Sequence, residues 1–310
     1  MCMAWVRDEE KRKGEDFIVK ILSFGSLNID YVYHVNHIVQ KGETISSAAL
    51  DTIPGGKGLN QSIALAKAGA EVYHAGRVGT EGEFLLTWCR ENGVNTDYTL
   101  VDSDEKTGHA IIQVDENGQN SIVLFGGSNQ GQTKEQIDET LQAFEKGDVL
   151  LLQNEINHLP YLIEEAFQKE MMIVLNPSPM NEKIFECDLS KISLFLLNEV
   201  EGEQLTGTGD ENEICQVLKE KFPKARFVLT LGSKGAYYVD QEQKIFQEAF
   251  KVNAVDTTAA GDTFTGYFLA NLLKGESIQT CLKMAAKASA IAVTREGASV
   301  SIPRWEEVMV

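Results

Sequence analysis

Short apolar runs alternate with stretches of helical periodicity along most of this chain. Residues 149–152, 171–175, 192–197 and 227–231 are near-continuous apolar runs, as expected of strands buried on both faces of a parallel sheet. Residues 18–25 read as the first strand and end at a glycine. Residues 58–69 place Ile63, Leu65 and Ala66 on or near one helical face and stop at Gly69. Residues 81–93 form another helix with a glycine end, and Thr133-Lys134-Glu135-Gln136 has the form of a capping box opening a third. Further helices are expected near Glu199, Glu211, Asp262 and Ser277. This alternation predicts an α/β fold with a mainly parallel central sheet flanked by helices.

Two stretches break the alternation. Residues 30–50 carry two period-two segments, 31–35 and 44–50, and residues 107–125 carry two more, split by Asp115-Glu116-Asn117-Gly118. An Asn-Gly step between β-prone runs signals a hairpin. Together these excursions predict a small separate β-sheet, read here as a lid, with β-prone apolar side chains on both parities. Such a sheet leaves one face and its edges in need of cover, so a homodimer joined through the lids is expected. Residues 1–16 are charged and lack an apolar signal core, which predicts a disordered extension ahead of one domain over 17–310.

The 310 residues are 43% hydrophobic and 24% charged, ordinary for a globular protein, and no segment is apolar enough to span a membrane. A net charge of −18 argues against binding nucleic acid or an anionic membrane surface, since both need a basic face. Five scattered cysteines without a C-x-x-C pair read as reduced thiols of a cytoplasmic protein, and the five histidines show no zinc spacing.

Against that background, residues 255–264, Val-Asp-Thr-Thr-Ala-Ala-Gly-Asp-Thr-Phe, carry the most chemistry. The small-residue turn Ala259-Ala260-Gly261 delivers Asp262 to the start of an apolar helix with Phe264, Tyr267, Phe268 and Leu272 at helical spacing. Backbone N–H groups at a helix N-terminus form an anion site, and a carboxylate beside it suits a general base for phosphoryl transfer to a hydroxyl. The plainer alternative makes Asp262 an N-cap.

Pro54-Gly55-Gly56-Lys57-Gly58-Leu59-Asn60-Gln61 lets backbone approach a ligand and offers Lys57 and Asn60 as donors. It is not a Walker A loop, because Asp51 stands where that motif needs glycine, and a plain glycine-rich turn is the alternative. Asn28 and Asp30 follow the first strand, and Glu155 follows the run 149–153, at the edge where parallel sheets bind ligands; an Asx turn is the alternative for the first pair. Leu231-Gly232-Ser233-Lys234-Gly235 follows another strand and reads either as a tight turn or as a source of backbone N–H donors. Gly76 to Gly82 lacks the spacing of a dinucleotide fingerprint, and no G-x-S-x-G elbow is present.

Taken together, Gly25-Ser26-Leu27-Asn28-Ile29-Asp30, residues 55–61, Leu175-Asn176-Pro177-Ser178-Pro179, Asn198-Glu199-Val200-Glu201, residues 230–235 and residues 256–264 resemble the ribokinase-like family of carbohydrate kinases over about residues 17–305. The Gly-Gly-Lys-Gly-x-Asn-Gln stretch looks most like its ribokinase branch. The resemblance implies a sugar kinase with Asp262 as base and the amides of Ala259, Ala260 and Gly261 as anion hole. Asn28, Asp30, Gly56, Lys57, Gly58, Asn60 and Glu155 would hold the sugar. Asn198, Thr230, Leu231, Gly232, Ser233, Lys234, Gly235 and Gly261 would serve ATP. Glu201 would act indirectly on Mg2+. An activating K+ would take Asp256, the Thr258 carbonyl, carbonyls near Ala292, Arg295 and Gly297, and Ser301. D-ribose is the favoured acceptor; another sugar or a nucleoside, and a catalytically silent sugar-binding module, are the competing expectations.

Overall fold

A computed structural model of the chain describes residues 19–310; the extension expected over residues 1–16 lies outside the described residues. In chain order the elements are β1 (Ile21–Phe24), β2 (Asn28–His34), β3 (Ala49–Gly55), α1 (Lys57–Lys67), β4 (Val72–Gly79), α2 (Glu83–Glu91), β5 (Asn95–Asp102), β6 (Gly108–Val114), β7 (Asn120–Phe125), α3 (Lys134–Leu141), β8 (Val149–Gln153), α4 (Leu159–Gln168), β9 (Met172–Asn176), β10 (Leu194–Asn198), α5 (Glu199–Thr206), α6 (Glu211–Lys221), β11 (Arg226–Thr230), β12 (Gly235–Val239), β13 (Lys244–Glu248), α7 (Ala260–Leu273), α8 (Ile278–Ala292) and α9 (Trp305–Met309).

The large sheet runs β13-β12-β11-β10-β9-β8-β1-β4-β5. It is parallel from β11 to β5, and β12 and β13 join antiparallel at one edge. Its central strands are buried on both faces, which is why they read as unbroken apolar runs. Alternate residues feed two cores. Ile21, Leu151, Leu196 and Val228 pack with α1, α7 and α8 on one face. Leu22, Leu152, Leu197 and Leu229 pack with residues of α3, α4, α5 and α6 on the other.

A separate sheet, β3-β2-β6-β7, stands apart from this body. The turn at Asp115 closes its β6–β7 hairpin as the Asn-Gly step suggests, with Gly118 at φ 75° and Asp115 Oδ1 accepting from Asn117 N and Gln119 N at 2.8 and 2.9 Å. The strand expected over 44–50 lies instead at Ala49–Gly55. Pro54 is tolerated within it because β3 is an edge strand, where a proline removes no ladder donor that is needed. The capping box at Thr133 forms by half: Thr133 Oγ1 accepts from Gln136 N at 3.2 Å, while the Gln136 side chain donates to Gly76 O at 3.0 Å. The glycine stretch 76–82 ends β4 and leads into α2. Among the described residues no helix is long and apolar enough to cross a membrane, and Cys89, Cys187, Cys215 and Cys281 are free and buried.

Candidate active site

The parallel strands β1, β8, β9, β10 and β11 end at one edge, and α1 and α7 begin there. A cavity of about 230 Å³ opens at that edge, lined by Lys57, Asn176, Ser178, Asn198, Glu201, Thr230, Thr257, Thr265 and the 259–262 turn.

Asp262 is not the N-cap of α7. That position belongs to Ala259, held in the left-handed region at φ 58°, and Asp262 is the third residue of the helix. The backbone turn begins the helix unaided, with Thr263 N donating to Ala259 O at 2.8 Å, so the carboxylate is free for other partners. It takes two, one on each oxygen: Asn60 Nδ2 donates to Oδ2 at 3.1 Å and Gln61 Nε2 to Oδ1 at 2.8 Å. Of the three turn amides, Ala260 N–H donates to Thr257 O at 3.2 Å. Gly261 N–H, in the first turn, has no helical carbonyl to reach. A Cβ placed on Gly261 would meet no atom within 4 Å, so open space lies beside the Cα of that residue.

The glycine-rich loop is a close-approach device as well as a turn. Gly56 caps α1 at φ 95°, and a Cβ on Gly58 would fall 2.5 Å from Ser26 N, so the loop after β1 and the start of α1 lie backbone to backbone. Glu155 ties the two together: it accepts from Lys57 N at 3.1 Å and from the Ser26 hydroxyl, whose oxygen accepts in turn from Gly58 N at 3.2 Å. Asn28 sits at the base of β2, where Asn129 Nδ2 donates to its Oδ1 at 2.7 Å. Asp30, two residues on, lies against Gly55. Asn60 Oδ1 is buried and has no hydrogen-bond partner in the protein, an acceptor left for a ligand hydroxyl.

Five charged side chains, Asp30, Lys57, Glu155, Glu201 and Asp262, crowd this space. Burial, and then the charge of Glu155, push the Asp30 carboxyl up to about 7. Burial raises Glu155 and Glu201 as well, opposed in part by Lys57. Burial alone would lower Lys57, but Asp262, Glu155 and Glu201 together outweigh it and hold the ammonium above its usual range. A lysine kept charged among carboxylates is a fixed positive centre at the mouth of an acidic protein, suited to an anion.

On the far side of the cavity, Asn198 and Glu201 form a complete capping box at α5: Glu201 N donates to Asn198 Oδ1 at 2.9 Å and Asn198 N to Glu201 Oε2 at 3.0 Å. Of residues 230–235, Thr230 lines the cavity, Leu231 is buried, and Lys234 is exposed and paired with Glu211. Asp256 joins two loops, accepting from Thr258 N and Oγ1 at 2.8 and 2.6 Å and from Gly297 N at 2.9 Å. Ala292 O accepts from Arg295 N at 3.0 Å, and the Ser301 hydroxyl donates to Ala298 O at 2.8 Å. Among the described residues no group of three or more His, Cys, Asp or Glu side chains could hold a metal ion.

Residues 19–305 match the pfkB family of carbohydrate kinases. This chain belongs to that family. The kinase is 35% identical over 302 residues to the ribokinase of Staphylococcus aureus, covering 93% of this chain and 98% of that protein. It is 30% identical over 295 residues to the deoxyribokinase of Salmonella typhi, covering 93% and 96%. The solved Arabidopsis thaliana ribokinase complexed with ribose and ATP superposes with a TM-score of 0.83 at 29% identity, covering 94% of this chain and 98% of that one.

Sequence reasoning had not assigned roles to several residues that shape the kinase's site. Gln61 and Ser26 stand within quoted motifs without a role, and Gln153 and Asn129 were passed over, yet each holds an assigned residue or its neighbour. Gln153 did leave a signal: it is a polar residue ending a strand whose five residues are all buried.

Proposed function

We propose that this kinase transfers the γ-phosphoryl group of ATP to the 5-hydroxyl of D-ribose, releasing ADP and ribose 5-phosphate. The observation that carries the reading is Asp262. Its carboxylate is held by two amides at the mouth of a helix N-terminus that opens on a cavity with Lys57. The hydroxyl oxygen attacks the γ-phosphorus as Asp262 takes its proton, and the bond to the bridging oxygen breaks with its electrons leaving on ADP. Such a transfer needs positioning and charge stabilisation more than covalent help. Of the 259–261 turn, Ala260 N–H is engaged by Thr257 O, so the amide of Gly261 is left to meet the transferred group. Asn28, Asp30, Lys57, Asn60 and Glu155 take the sugar, and the end of β11 and the loop after it take the nucleotide.

Mg2+ bound with ATP would neutralise phosphate charge. Glu201, buried at the cavity wall and held by Asn198, would fit the role of an outer partner to such a cation. The loops joined by Asp256 offer hard oxygen donors for K+ next to the turn. The small sheet acts as a lid that keeps water from the phosphoryl group. Its faces leave Ile111, Val123 and Phe125 exposed on one side and Ile122 and Leu124 on the other, which supports pairing of two lids in a homodimer. The buried free thiols suit the cytoplasm.

A deoxyribose kinase is the second reading, favoured by the Salmonella typhi relative. An ADP-release assay over ribose, 2-deoxyribose, fructose and nucleosides tests both. Turnover highest on ribose is expected; higher turnover on another acceptor replaces ribose, and sugar binding without ADP release leaves only a binding module.

A further inference from the structure

Beyond the base itself stands a chain of buried amides. Gln153, at the end of β8, donates from Nε2 to Gln61 Oε1 at 2.7 Å, and Gln61 donates from Nε2 to Asp262 Oδ1 at 2.8 Å. Both glutamines are fully buried. Their order is dictated by chemistry. An ionised carboxylate only accepts, so Gln61 must turn its NH2 toward Asp262 and its oxygen toward Gln153, which must then present its own NH2. Reversing either amide would set oxygen against oxygen. Nothing competes for the far end: Gln153 Oε1 has no partner, and it sits where a Cβ on Gly25 would fall, 2.2 Å away.

We propose that Gln61 is a positioning residue for Asp262, with its amide face set by Gln153. The bond from Gln61 fixes the rotation of the carboxylate and supports its ionised form, and each oxygen still keeps a lone-pair direction open to an incoming hydroxyl. Asn60 holds the other oxygen but sits within the sugar loop, whereas the two glutamines lie behind the base and act through it alone. The proposal rests on the reading of Asp262 as general base.

The test compares Gln61→Leu, Gln153→Leu, Asp262→Asn and the double variants that combine each glutamine change with Asp262→Asn, using ATP and D-ribose or whichever sugar the panel shows to be turned over. Loss of a hydrogen bond to a charged group corresponds to roughly a 10- to 100-fold fall in kcat for Gln61→Leu. The sugar KM should move less than about threefold, and in the Asp262→Asn background the added change should cost less than about twofold because the base that Gln61 positions is gone. A residue that only supports the fold would lower turnover by the same factor in both backgrounds, which overturns the proposal, as does wild-type kcat in Gln61→Leu. If circular dichroism shows Gln61→Leu unfolded, Gln153→Leu decides: a several-fold fall in kcat that vanishes beside Asp262→Asn supports the relay, and full turnover overturns it. Full turnover in Asp262→Asn alone sinks the base assignment, whereas a dead Asp262→Asn beside a fully active Gln61→Leu sinks this proposal and leaves the base standing.

Discussion

Gly266 on α7 lies against Ala64 on α1 so closely that a Cβ on the glycine would fall 2.4 Å from the Ala64 Cβ and 2.7 Å from Leu65 N. One helical turn toward the site, the same two faces carry Asp262 and the pair Asn60 and Gln61. The missing side chain sets the distance between the helices, and that distance lets two amides reach one carboxylate. Gly266→Ala should push α7 outward. Overpacking of this kind costs about 1–3 kcal/mol. Chemical denaturation and kcat are expected to fall together, and an unchanged kcat in a destabilised variant would detach the helix contact from the chemistry.

Asp262→Asn keeps the size and polarity of the side chain and removes the base. Turnover should fall by about 10²–10⁴, with sugar and ATP affinities by calorimetry within a few-fold of the parent. A variant retaining more than about a tenth of the turnover is incompatible with general-base catalysis by this residue.

Asp30 makes the protein sensitive to pH near neutrality. Its folded value, about 7, lies above the ordinary 3.8 because of burial and then Glu155, so the folded state keeps a proton that the unfolded chain has lost. The stability this contributes is fully present below the unfolded value and is lost as pH rises through about 7. Between about pH 5 and pH 8 the ligand-free melting temperature should drop more in the parent than in Asp30→Asn. Hydroxyls donating to the carboxylate favour its charged form, so sugar binding below neutral pH should expel a proton. Calorimetry in buffers of different ionisation enthalpy reads that proton, and an equal release from Asp30→Asn would count against this role.

Potassium should raise turnover relative to tetramethylammonium at equal ionic strength, and Asp256→Ala should remove the difference. Asp256 ties residue 258 to residue 297 across the base of the anion turn. Identical rates of the parent in the two salts would eliminate the cation site.

Light scattering at micromolar concentration should report twice the 34.3 kDa of one chain. The exposed Val123 and Phe125 of the small sheet then lie in the interface. A Val123→Asp substitution is expected to give monomers, and a parent that is already monomeric removes the lid-to-lid pairing.

The parallel body was legible because its strands are buried on both faces: residues 149–152 have no polar position to obscure the run. β4 was not recognised, since His74 and Arg77 interrupt it; His74 is buried by a 2.8 Å contact with Ser62 Oγ, and Arg77 by an ion pair with Asp102 at 2.7 Å. Those partners come from elsewhere in the fold, and local sequence carries no trace of them. The displaced strand β3 has the same cause, since its proline is acceptable only at a sheet edge.

The sequence by itself determined the α/β class, the hairpin of the small sheet, the small-residue turn that opens α7 and the residue types gathered at the ends of the strands. Local chemistry suffices for these, because periodicity and turn residues act over a few positions. Tertiary structure decided what those residues do to one another. That Asp262 is bound by amides rather than capping its helix, that Glu155 closes the start of α1, and that Gln153 stands behind Gln61 depend on contacts 92 to 202 residues apart. Hydrogen-bond direction and desolvation are properties of that assembled space, and they exist only once the two helices and the strand ends have packed.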